Sequence, residues 1–245
     1  MITLESLTNT VESISITAII DTALCVGAGG SSGSLADKPI IRNAEKNLLI
    51  PASQIKGRLR HECEKIARAL KWDICESPKA ATMCPQRDSI SGDFRDADYL
   101  VKGYRGQHCL ICQIFGNPVL PSRLLFDDLV CNQDPDNLVE VIRPGVTINR
   151  RRQTAEENKL YFIETSPASA KLEFIGKIHL LPKWQSNIPD RDRPDFAKAL
   201  VYAGLRHINA LGGSKSAGLG WLHWEIPDCV INETIWKFLA NGGDQ

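Results

Sequence analysis

Residues 49–72 have the sequence LIPASQIKGRLRHECEKIARALKW, and this stretch decides the fold. After Pro51, apolar side chains recur at the spacing of one helix face, at Ile55, Leu59, Cys63, Ile66 and Leu70. Basic residues lie beside that stripe or opposite it, at Lys56, Arg58, Arg60, Arg68 and Lys71. The pattern predicts an amphipathic helix over about residues 52–72, with positive charge along its margin.

The segments around this helix have the patterns of strands and of a second helix. Residues 11–26 alternate and are rich in Ile and Thr, which is typical of a long strand. Further along come strand-like residues 122–131, a hairpin at 140–165 with a charged tip at 150–159, strand-like residues 170–181, a helix pattern at 192–211, a glycine-rich loop at 212–220 and a final short strand at 221–226. This order predicts an α+β fold with helices on one face of an antiparallel sheet. A ferredoxin-like or RRM-like core is the leading case.

The length of 245 residues fits one large domain with insertions. Residues 73–115 have weak periodicity and contain four cysteines, so we interpret them as an insertion rather than as core. The expected single domain over 1–245 has a core of about 11–71, 116–139 and 166–235, a cysteine-rich insertion of about 72–115, and a protruding hairpin of about 140–165.

Composition limits the partners and the compartment. Lys+Arg and Asp+Glu number 29 each, whereas a free-standing nucleic-acid binder is usually basic, so a nucleic-acid site here is a local patch or works inside an assembly. No segment has the ~20 apolar residues of a membrane helix, and residues 1–10 lack the pattern of a secretory signal. Eight cysteines without such a signal indicate a reducing compartment. We therefore expect a cytoplasmic protein, without a membrane partner, in which clustered cysteines bind metal.

The cysteines of the insertion predict a structural zinc site. Cys109 and Cys112 have the spacing of a knuckle that places two thiolates on one ion, and a closed zinc site needs four ligands. Cys75 and Cys84 lie in the same segment and are the expected other two. The residues left open as reserves for the fourth ligand are His61, Cys63 and His108. The alternative is four free thiols in a poorly packed loop, but the insertion has few apolar residues to hold it together without metal.

Two glycine-rich loops do not fit the known nucleotide-binding fingerprints. The loop at 27–33 has its third glycine out of register for a dinucleotide site, and Pro39 follows with no helix start. The loop at 212–220 lacks the spacing of a nucleotide-hydrolysing P-loop. Its glycines still permit close approach of a phosphate, with Lys215 supplying charge, and a plain flexible connection is the other interpretation.

Four segments, in this order, resemble the RAMP superfamily, and in particular the repeated backbone proteins of type III CRISPR effector complexes. They are ADKPIIR (36–42) with LIPASQIKGRLR (49–60), CLICQIFG (109–116), VTINR (146–150) with LYFIE (160–164), and LGGSKSAGLG (211–220). In that family the third segment is a hairpin that projects as a thumb. Asn149 stands where the family has Asp, and Ala217 stands where it has a second basic residue. The match spans about residues 13–226.

The resemblance implies a RAMP domain that binds crRNA, cuts target RNA with Mg²⁺ or another divalent ion, and assembles with other CRISPR effector subunits. It implies Asp37 as the catalytic residue, although a lone loop aspartate is otherwise a solvated or capping group. The thumb would wedge into the guide–target duplex. The RNA-binding residues that it implies are Lys38, Arg42, Lys56, Arg58, Arg60, Arg150, Arg151, Gly213, Ser214 and Lys215.

Three other functions stay open. A structural backbone subunit of the same complexes would keep the fold without cutting RNA. A zinc-stabilised RNA-binding protein or a stand-alone metal-dependent enzyme would lie outside CRISPR altogether. A crRNA-processing endonuclease of the superfamily often uses a histidine base, and it is disfavoured because none of the five histidines follows a glycine-rich strand start. A short RNA of defined length bound to the purified protein would favour the functions within CRISPR complexes over those outside them.

Overall fold

The computed structural model describes residues 11–27, 36–72, 74–79, 82–84, 108–168, 171–181 and 196–227. The strands among them are β1 (Glu12–Ile20), β2 (Leu49–Ile50), β3 (Leu124–Phe126), β4 (Leu129–Cys131), β5 (Val141–Asn149), β6 (Thr154–Thr165), β7 (Leu172–Leu180) and β8 (Leu222–Glu225). The helices are α1 (Ala52–Ala69), α2 (Leu110–Phe115) and α3 (Phe196–His207). Within these ranges, no helix has the length and apolarity needed to cross a membrane.

The main sheet has ferredoxin-like topology. Its strand order is β2-β4-β7-β1-β8, with β3 also paired to β7, and its pairings are antiparallel. Without the short additions β2 and β3, the chain runs β1-α1-β4-β7-α3-β8, which is the split βαβ arrangement with its first and third strands at the centre. The prediction of an α+β, ferredoxin-like core is therefore confirmed.

The core lies between this sheet and helices α1 and α3. Alternate residues of the two central strands are buried: Ile14, Ile16, Ala18 and Ile20 on β1, and Leu172, Phe174, Ile178 and Leu180 on β7. From α1, the predicted apolar stripe supplies Ile55, Leu59 and Cys63, with Ile66 and Leu70 partly buried beside them. Burial of each large apolar side chain contributes roughly 1.5–3 kcal/mol to stability.

The other face of the two central strands is largely polar. It presents Ser13, Ser15, Thr17 and Ile19 on β1, and Glu173, Ile175, Lys177 and His179 on β7. RRM domains stack bases on aromatic side chains of their sheet, and neither central strand carries Phe, Tyr or Trp on this face. The main sheet thus has the topology of an RRM domain but lacks the base-stacking surface of RRM domains on β1 and β7.

Helices α1 and α3 meet at a glycine. A Cβ atom on Gly204 would lie 2.6 Å from the Sγ of Cys63 and 2.8 Å from the Cδ1 of Leu59, so a larger residue would force the helices apart. The Cys63 thiol donates a hydrogen bond to the carbonyl of Leu200 at 3.5 Å. Burial, helped by the neighbouring carboxylates, raises the pKa of Cys63 well above its ordinary value. Cys63 is therefore the structural thiol that the helix pattern predicts.

Strands β5 and β6 form a separate two-stranded hairpin. Their register runs from Val141 opposite Thr165 to Asn149 opposite Thr154, with an irregularity between Val146 and Ile148. Several large apolar side chains on this hairpin are exposed to solvent: Val141, Ile142, Val146, Ile148, Leu160 and Tyr161. The two strands pair over the residues predicted for the hairpin, and these exposed apolar side chains do not belong to the main core.

Two local predictions need correction. Residues 122–131 form two short strands rather than one, because the chain leaves the sheet at Asp127 and Asp128. There the Oδ1 of Asp128 accepts the backbone N–H of Ala52 at 2.7 Å and so caps α1. Helix α2, at the end of the predicted insertion, packs its Ile111, Ile114 and Phe115 into the main core. Residues 28–35 and 192–195, which include parts of the first glycine loop and of the second helix pattern, lie outside the described residues.

Candidate metal centre and nucleic-acid interface

Four cysteine thiols come together beside helix α2. The Sγ atoms of Cys75, Cys84, Cys109 and Cys112 all lie within 4.8 Å of one another, and all four residues are buried. The sulfurs of Cys75 and Cys112 are 3.5 Å apart. A tetrahedron of thiolates around zinc, with Zn–S of about 2.3 Å, has sulfurs separated by about 3.8 Å. The cluster therefore has the donor set and the approximate spacing of a four-coordinate site for an ion such as zinc.

Local structure explains how two of these ligands are placed. Cys109 is the N-cap residue of α2, and Cys112 follows within its first turn, so both thiols emerge from one end of the helix. The backbone N–H of Cys109 donates to the Sγ of Cys84 at 3.3 Å. N–H donors of this kind hold thiolates in position around a metal ion.

The reserve ligands are not part of the cluster. Cys63 lies at the α1–α3 contact, and His61 is exposed on α1. His108 is buried next to Cys109, but its Nδ1 is hydrogen bonded to the side chain of Asn117 at 2.7 Å. The structure thus brings together the four cysteines that the sequence predicts as ligands and leaves these three residues outside the set.

The four thiols of the cluster are pushed in opposite directions by their mutual hydrogen bonds. Hydrogen bonding with Cys109, together with burial, raises the pKa of Cys84 and Cys112 far above the ordinary value. Hydrogen bonding with Cys109 lowers the pKa of Cys75, and hydrogen bonding with Cys112 lowers the pKa of Cys109. Four thiolates at this spacing repel one another, so the chain alone cannot keep all four ionised. A divalent ion reverses that balance, because it binds only the deprotonated sulfurs.

A second feature is a platform made from four segments that are distant in sequence. We use the name platform for residues 21–27, 36–42, 162–166 and 212–220, which are joined by backbone hydrogen bonds. Gly213 N donates to Cys25 O at 2.7 Å, and Gly220 N donates to Ala23 O at 2.9 Å. Ile41 N donates to Val26 O at 3.1 Å, and Ser166 N donates to Leu24 O at 2.9 Å. The glycine-rich loop, the Asp37 segment and the base of the hairpin therefore form one continuous surface.

Asp37 is exposed at the edge of the platform, against the base of the hairpin. Its backbone N–H donates to the carbonyl of Phe162 at 2.9 Å, and its Oδ2 accepts the backbone N–H of Phe162 at 2.7 Å. Among the described residues, its Oδ1 has no hydrogen-bond donor. One oxygen thus orients the carboxylate, and the other is available to a ligand.

Six of the cations that the resemblance implies for RNA binding lie on the platform or on α1, and they differ in their partners. Among the described residues, Lys38 and Lys56 have no carboxylate within ion-pair distance. Burial, with a smaller contribution from the charge of Arg60, lowers the pKa of Lys56. The other four contact their own chain: Arg42 pairs with Glu140 at 2.5 Å, Arg58 with Glu62 at 2.9 Å, Arg60 with Glu64 at 3.1 Å, and Lys215 donates to Gly212 O at 2.9 Å. Lys38 and Lys56 are the cations best placed to meet a phosphate.

The glycine-rich loop is tightly packed on the platform. A Cβ atom on Gly212, which has a φ of +87°, would lie 2.5 Å from Cys25 O, so this glycine is needed by the chain itself. Ser214 adopts the left-handed conformation with φ 53°, and residues Lys215–Ala217 form a 3₁₀ turn. Gly213 N–H is used by Cys25, so Gly213 is held in place by the platform.

At the other end of the hairpin, Arg150 and Arg151 are exposed in the turn. The Oδ1 of Asn149 accepts the backbone N–H groups of Arg151 and Arg152, each at 3.1 Å. Asparagine therefore supplies the turn-forming acceptor that an aspartate would supply at the same position.

Glu164 is a platform residue that the sequence does not reveal as functional. Its Oε2 accepts the backbone N–H of Ile40 at 3.0 Å, and its own N–H donates to Lys38 O at 3.1 Å. These bonds fix the Asp37 segment alongside β6, in a parallel bridge between Lys38 and Ile163. No local pattern in the sequence indicates this pairing, because the two segments are more than 120 residues apart.

The fold and these two features define a ferredoxin-like α+β protein with four clustered cysteines that can hold a metal ion and with a glycine-rich, cation-bearing surface. The RAMP superfamily model matches residues 17–223, and the chain belongs to that superfamily. Membership implies RNA and CRISPR complexes as its partners. A search of curated proteins finds no match.

Proposed function

We propose that this protein is a crRNA-binding backbone subunit of a type III CRISPR effector complex. We further propose that it cuts target RNA and that Asp37 is the catalytic residue. The observation that supports this most directly is the platform. It joins the glycine-rich loop, the Asp37 segment and the hairpin base through backbone hydrogen bonds, although they are far apart in sequence. A single RNA path along that surface would meet all three.

Binding along this path is proposed to depend on the phosphate backbone of the guide. Lys38 and Lys56 supply uncompensated positive charge, and the loop at Gly213, Ser214 and Lys215 brings the main chain close to the same surface. Contacts to phosphates carry no sequence information, which suits a subunit that must hold any guide. Arg42 and Arg58 contribute by stabilising the local structure, since the guanidinium groups form ion pairs with Glu140 and Glu62.

The hairpin is proposed to act as a thumb that wedges into the guide–target duplex. Its exposed apolar residues include Leu160, midway along β6, and Ile148, near the end that carries Arg150 and Arg151. Apolar side chains can insert between bases, and adjacent cations can hold the displaced strand. Unstacking costs a few kcal/mol per step, which the protein contacts offset. The base of the hairpin would then guide the target strand past Asp37, because that residue's partner Phe162 lies on β6 near the base.

The cleavage step uses a nucleophile that RNA itself provides. The 2′-oxygen attacks the adjacent phosphorus, the bond to the 5′-oxygen breaks, and the products are a 2′,3′-cyclic phosphate and a 5′-hydroxyl. Asp37 Oδ1 takes the proton of the 2′-hydroxyl, and the proton that the leaving oxygen gains comes from water. A divalent ion such as Mg²⁺, when bound, would supply charge stabilisation at the phosphate oxygens. The hydrogen bond from Phe162 N–H to Oδ2 keeps the carboxylate aimed at the opened strand.

The second candidate function is a structural backbone subunit of the same complex that does not cut. The contact between Asp37 and Phe162 favours it, because that hydrogen bond gives the carboxylate a structural reason to be present. In both candidates the cysteine cluster is proposed to hold a structural zinc ion, since four thiolates leave no open position for a substrate.

The decisive experiment compares Asp37→Asn, Asp37→Ala and Asp127→Asn in the assembled complex, with magnesium and a complementary RNA. Asparagine keeps an oxygen that accepts from Phe162 but removes the charge. We expect Asp37→Asn to bind guide and target like the parent and to lose at least a hundredfold in cutting rate. We expect Asp127→Asn to cut normally. If Asp37→Asn cuts every site at the parental rate, Asp37 is not the catalyst, and if the parent never cuts, the structural role replaces it.

A further inference from the structure

The side chain of Arg60 is directed toward the cysteine cluster. Its Nη2 lies 3.9 Å from the Sγ of Cys112, as a donor to that sulfur. Its Nη1 donates to the carbonyl of Gly116 at 2.9 Å, and its Nε donates to the Oε1 of Glu64 at 3.1 Å. The two shorter bonds fix the guanidinium plane, so the charge stays next to Cys112 even though the third contact is long.

These contacts tie the basic margin of α1 to the metal-binding helix. Cys112 lies within α2, and Gly116 is its C-cap residue, so one guanidinium spans the last turn of that helix. The side chain is only 21% exposed, which leaves little of it for an RNA phosphate. The sequence groups Arg60 with Lys56 and Arg58 along one margin of α1, and the structure separates their roles.

A metal ion with four thiolates carries a net charge of −2 in a buried place. Such a centre needs donors and a cation close to the sulfurs, because burial strengthens the repulsion among them. The N–H of Cys109 serves Cys84, as described above. Within the described part of the chain, Arg60 is the cationic side chain with a recorded contact to a sulfur of the cluster.

We infer that Arg60 is a positioning residue of the metal centre: it orients the Cys112 thiolate and offsets the negative charge of the occupied cluster. This inference rests on the metal site of the proposed function. It is independent of whether the protein cuts RNA.

The test compares Arg60→Met with Arg68→Met in the full-length protein. Arg68 is a matched control because it lies on the same helix and pairs with the same Glu64 at 3.6 Å, on its other oxygen. Zinc affinity is measured by competition with a chelating dye. Loss of an outer-shell partner of a metal ligand typically costs about 10–100-fold in affinity. We expect a loss of at least tenfold for Arg60→Met and less than twofold for Arg68→Met.

Two further measurements separate positioning from general destabilisation. Arg60→Lys keeps the charge and should recover at least half of the lost affinity on a logarithmic scale. With Co²⁺ in place of zinc, Arg60→Met should shift the sulfur-to-metal charge-transfer band, and Arg68→Met should not. Equal zinc affinity for Arg60→Met and Arg68→Met overturns the inference, as does a lysine variant as weak as the methionine variant. A parent protein that binds neither ion refutes the metal centre itself.

Discussion

The two carboxylate oxygens of Asp37 have different surroundings. Oδ2 is committed to Phe162 N–H, and Oδ1 has no donor among the described residues. A carboxylate oriented in this way loses little further freedom when it meets a substrate, which favours a positioned acid–base group. The same bond makes Asp37→Ala an ambiguous variant, because the substitution removes the hydrogen bond to the hairpin together with the negative charge. Only an isosteric amide distinguishes the two contributions.

Glu62 is the most deeply buried carboxylate with charged partners on α1, with 1% of its side chain exposed. It accepts from Arg58 at 2.9 Å, from Lys65 at 3.0 Å and from His207 of α3 at 2.6 Å. Burial raises the pKa of this carboxyl, but the bonds from His207 and Lys65 and the charge of Arg58 outweigh it, so the net pKa is below its ordinary value.

A depressed pKa gives Glu62 a defined effect on stability. Its contribution is present above the ordinary glutamate pKa of 4.5 and is lost as the pH falls through the lower folded-state value. Glu62→Gln leaves Arg58, Lys65 and His207 without their carboxylate, and we expect it to lower the free energy of unfolding by about 1.5–3 kcal/mol at neutral pH. The difference from the parent should shrink in acid below pH 4.5. Urea titrations between pH 3 and 7 measure both effects.

A suitable control for Glu62 is Glu156→Gln on the hairpin. Glu156 pairs with Lys159 at 3.2 Å, but the two side chains are 34% and 59% exposed, so solvent screens the pair. We expect a change below about 1 kcal/mol with no distinct acid dependence. A Glu62→Gln variant that behaves like this control would show that the buried cluster contributes nothing specific.

At the scale of elements, helix α1 has a central position, because its different sides face different parts of the molecule. Ile55, Leu59 and Cys63 face the core. Arg60 faces the cysteine cluster, and Lys56 lies near the exposed Gly57 in the first turns. One helix therefore connects the core, the metal centre and the proposed guide-binding surface.

Gly57 is an unusual residue for this helix, because among the described residues a Cβ atom there would meet no atom within 4 Å apart from its sequence neighbours and the backbone of its own helix. Glycine inside a helix costs about 0.5–1 kcal/mol relative to alanine, so Gly57→Ala should stabilise the protein by that amount. If RNA approaches the helix backbone beside Lys56, the added methyl group should weaken RNA binding roughly tenfold, equivalent to about 1.4 kcal/mol. Thermal unfolding and a filter-binding titration measure the two effects.

The reverse exchange, Ala69→Gly at the exposed end of the same helix, is the control for Gly57. It should destabilise the protein and leave RNA affinity unchanged. A Gly57→Ala protein that is more stable and binds RNA as tightly as the parent would place the RNA path away from this turn.

Elements were predictable from sequence where the pattern is local. The apolar stripe after Pro51 locates α1, and the alternation of 170–181 locates β7, because each depends on neighbours along the chain. The break between β3 and β4 was not predictable, since Asp128 leaves the sheet to cap a helix that begins 76 residues earlier. The pairing of the Asp37 segment with β6 is equally non-local.

Among the site residues, the clustering of the four cysteines was predictable. Their segment has few apolar residues to hold it together, and metal binding is then the expected use of several thiols. The role of Arg60 was not predictable, because a basic residue on an amphipathic helix has the same appearance whether it faces an RNA or a cluster of sulfurs. Its role depends on where Cys112 and Gly116 lie in three dimensions.

At the scale of the whole molecule, basic and acidic side chains balance, so the protein has no net positive charge. Lys+Arg and Asp+Glu balance at 29 each, and most cations of α1 are paired with acids on the same helix. Such a protein has little general attraction for nucleic acid. Its RNA binding is expected to depend on the few unpaired lysines and on neighbouring subunits, which suits a member of a larger complex.

The metal centre should contribute to the stability of the whole fold, because its four cysteines belong to the main hydrophobic core. A ligand at a hundred times its dissociation constant stabilises a native protein by about 2.7 kcal/mol, and in a domain of this size that corresponds to roughly 5–10 °C in Tm. We expect a strong zinc chelator to lower the Tm by at least that amount and added zinc to restore it. Cys109→Ser should abolish this response. Cys131→Ala, which removes a buried thiol of β4 outside the cluster, should be less stable because of its cavity and should still respond fully to the chelator. A freshly purified parent that contains no metal and melts at the same temperature with and without chelator would show that the four thiols pack as a core cluster and not as a metal centre.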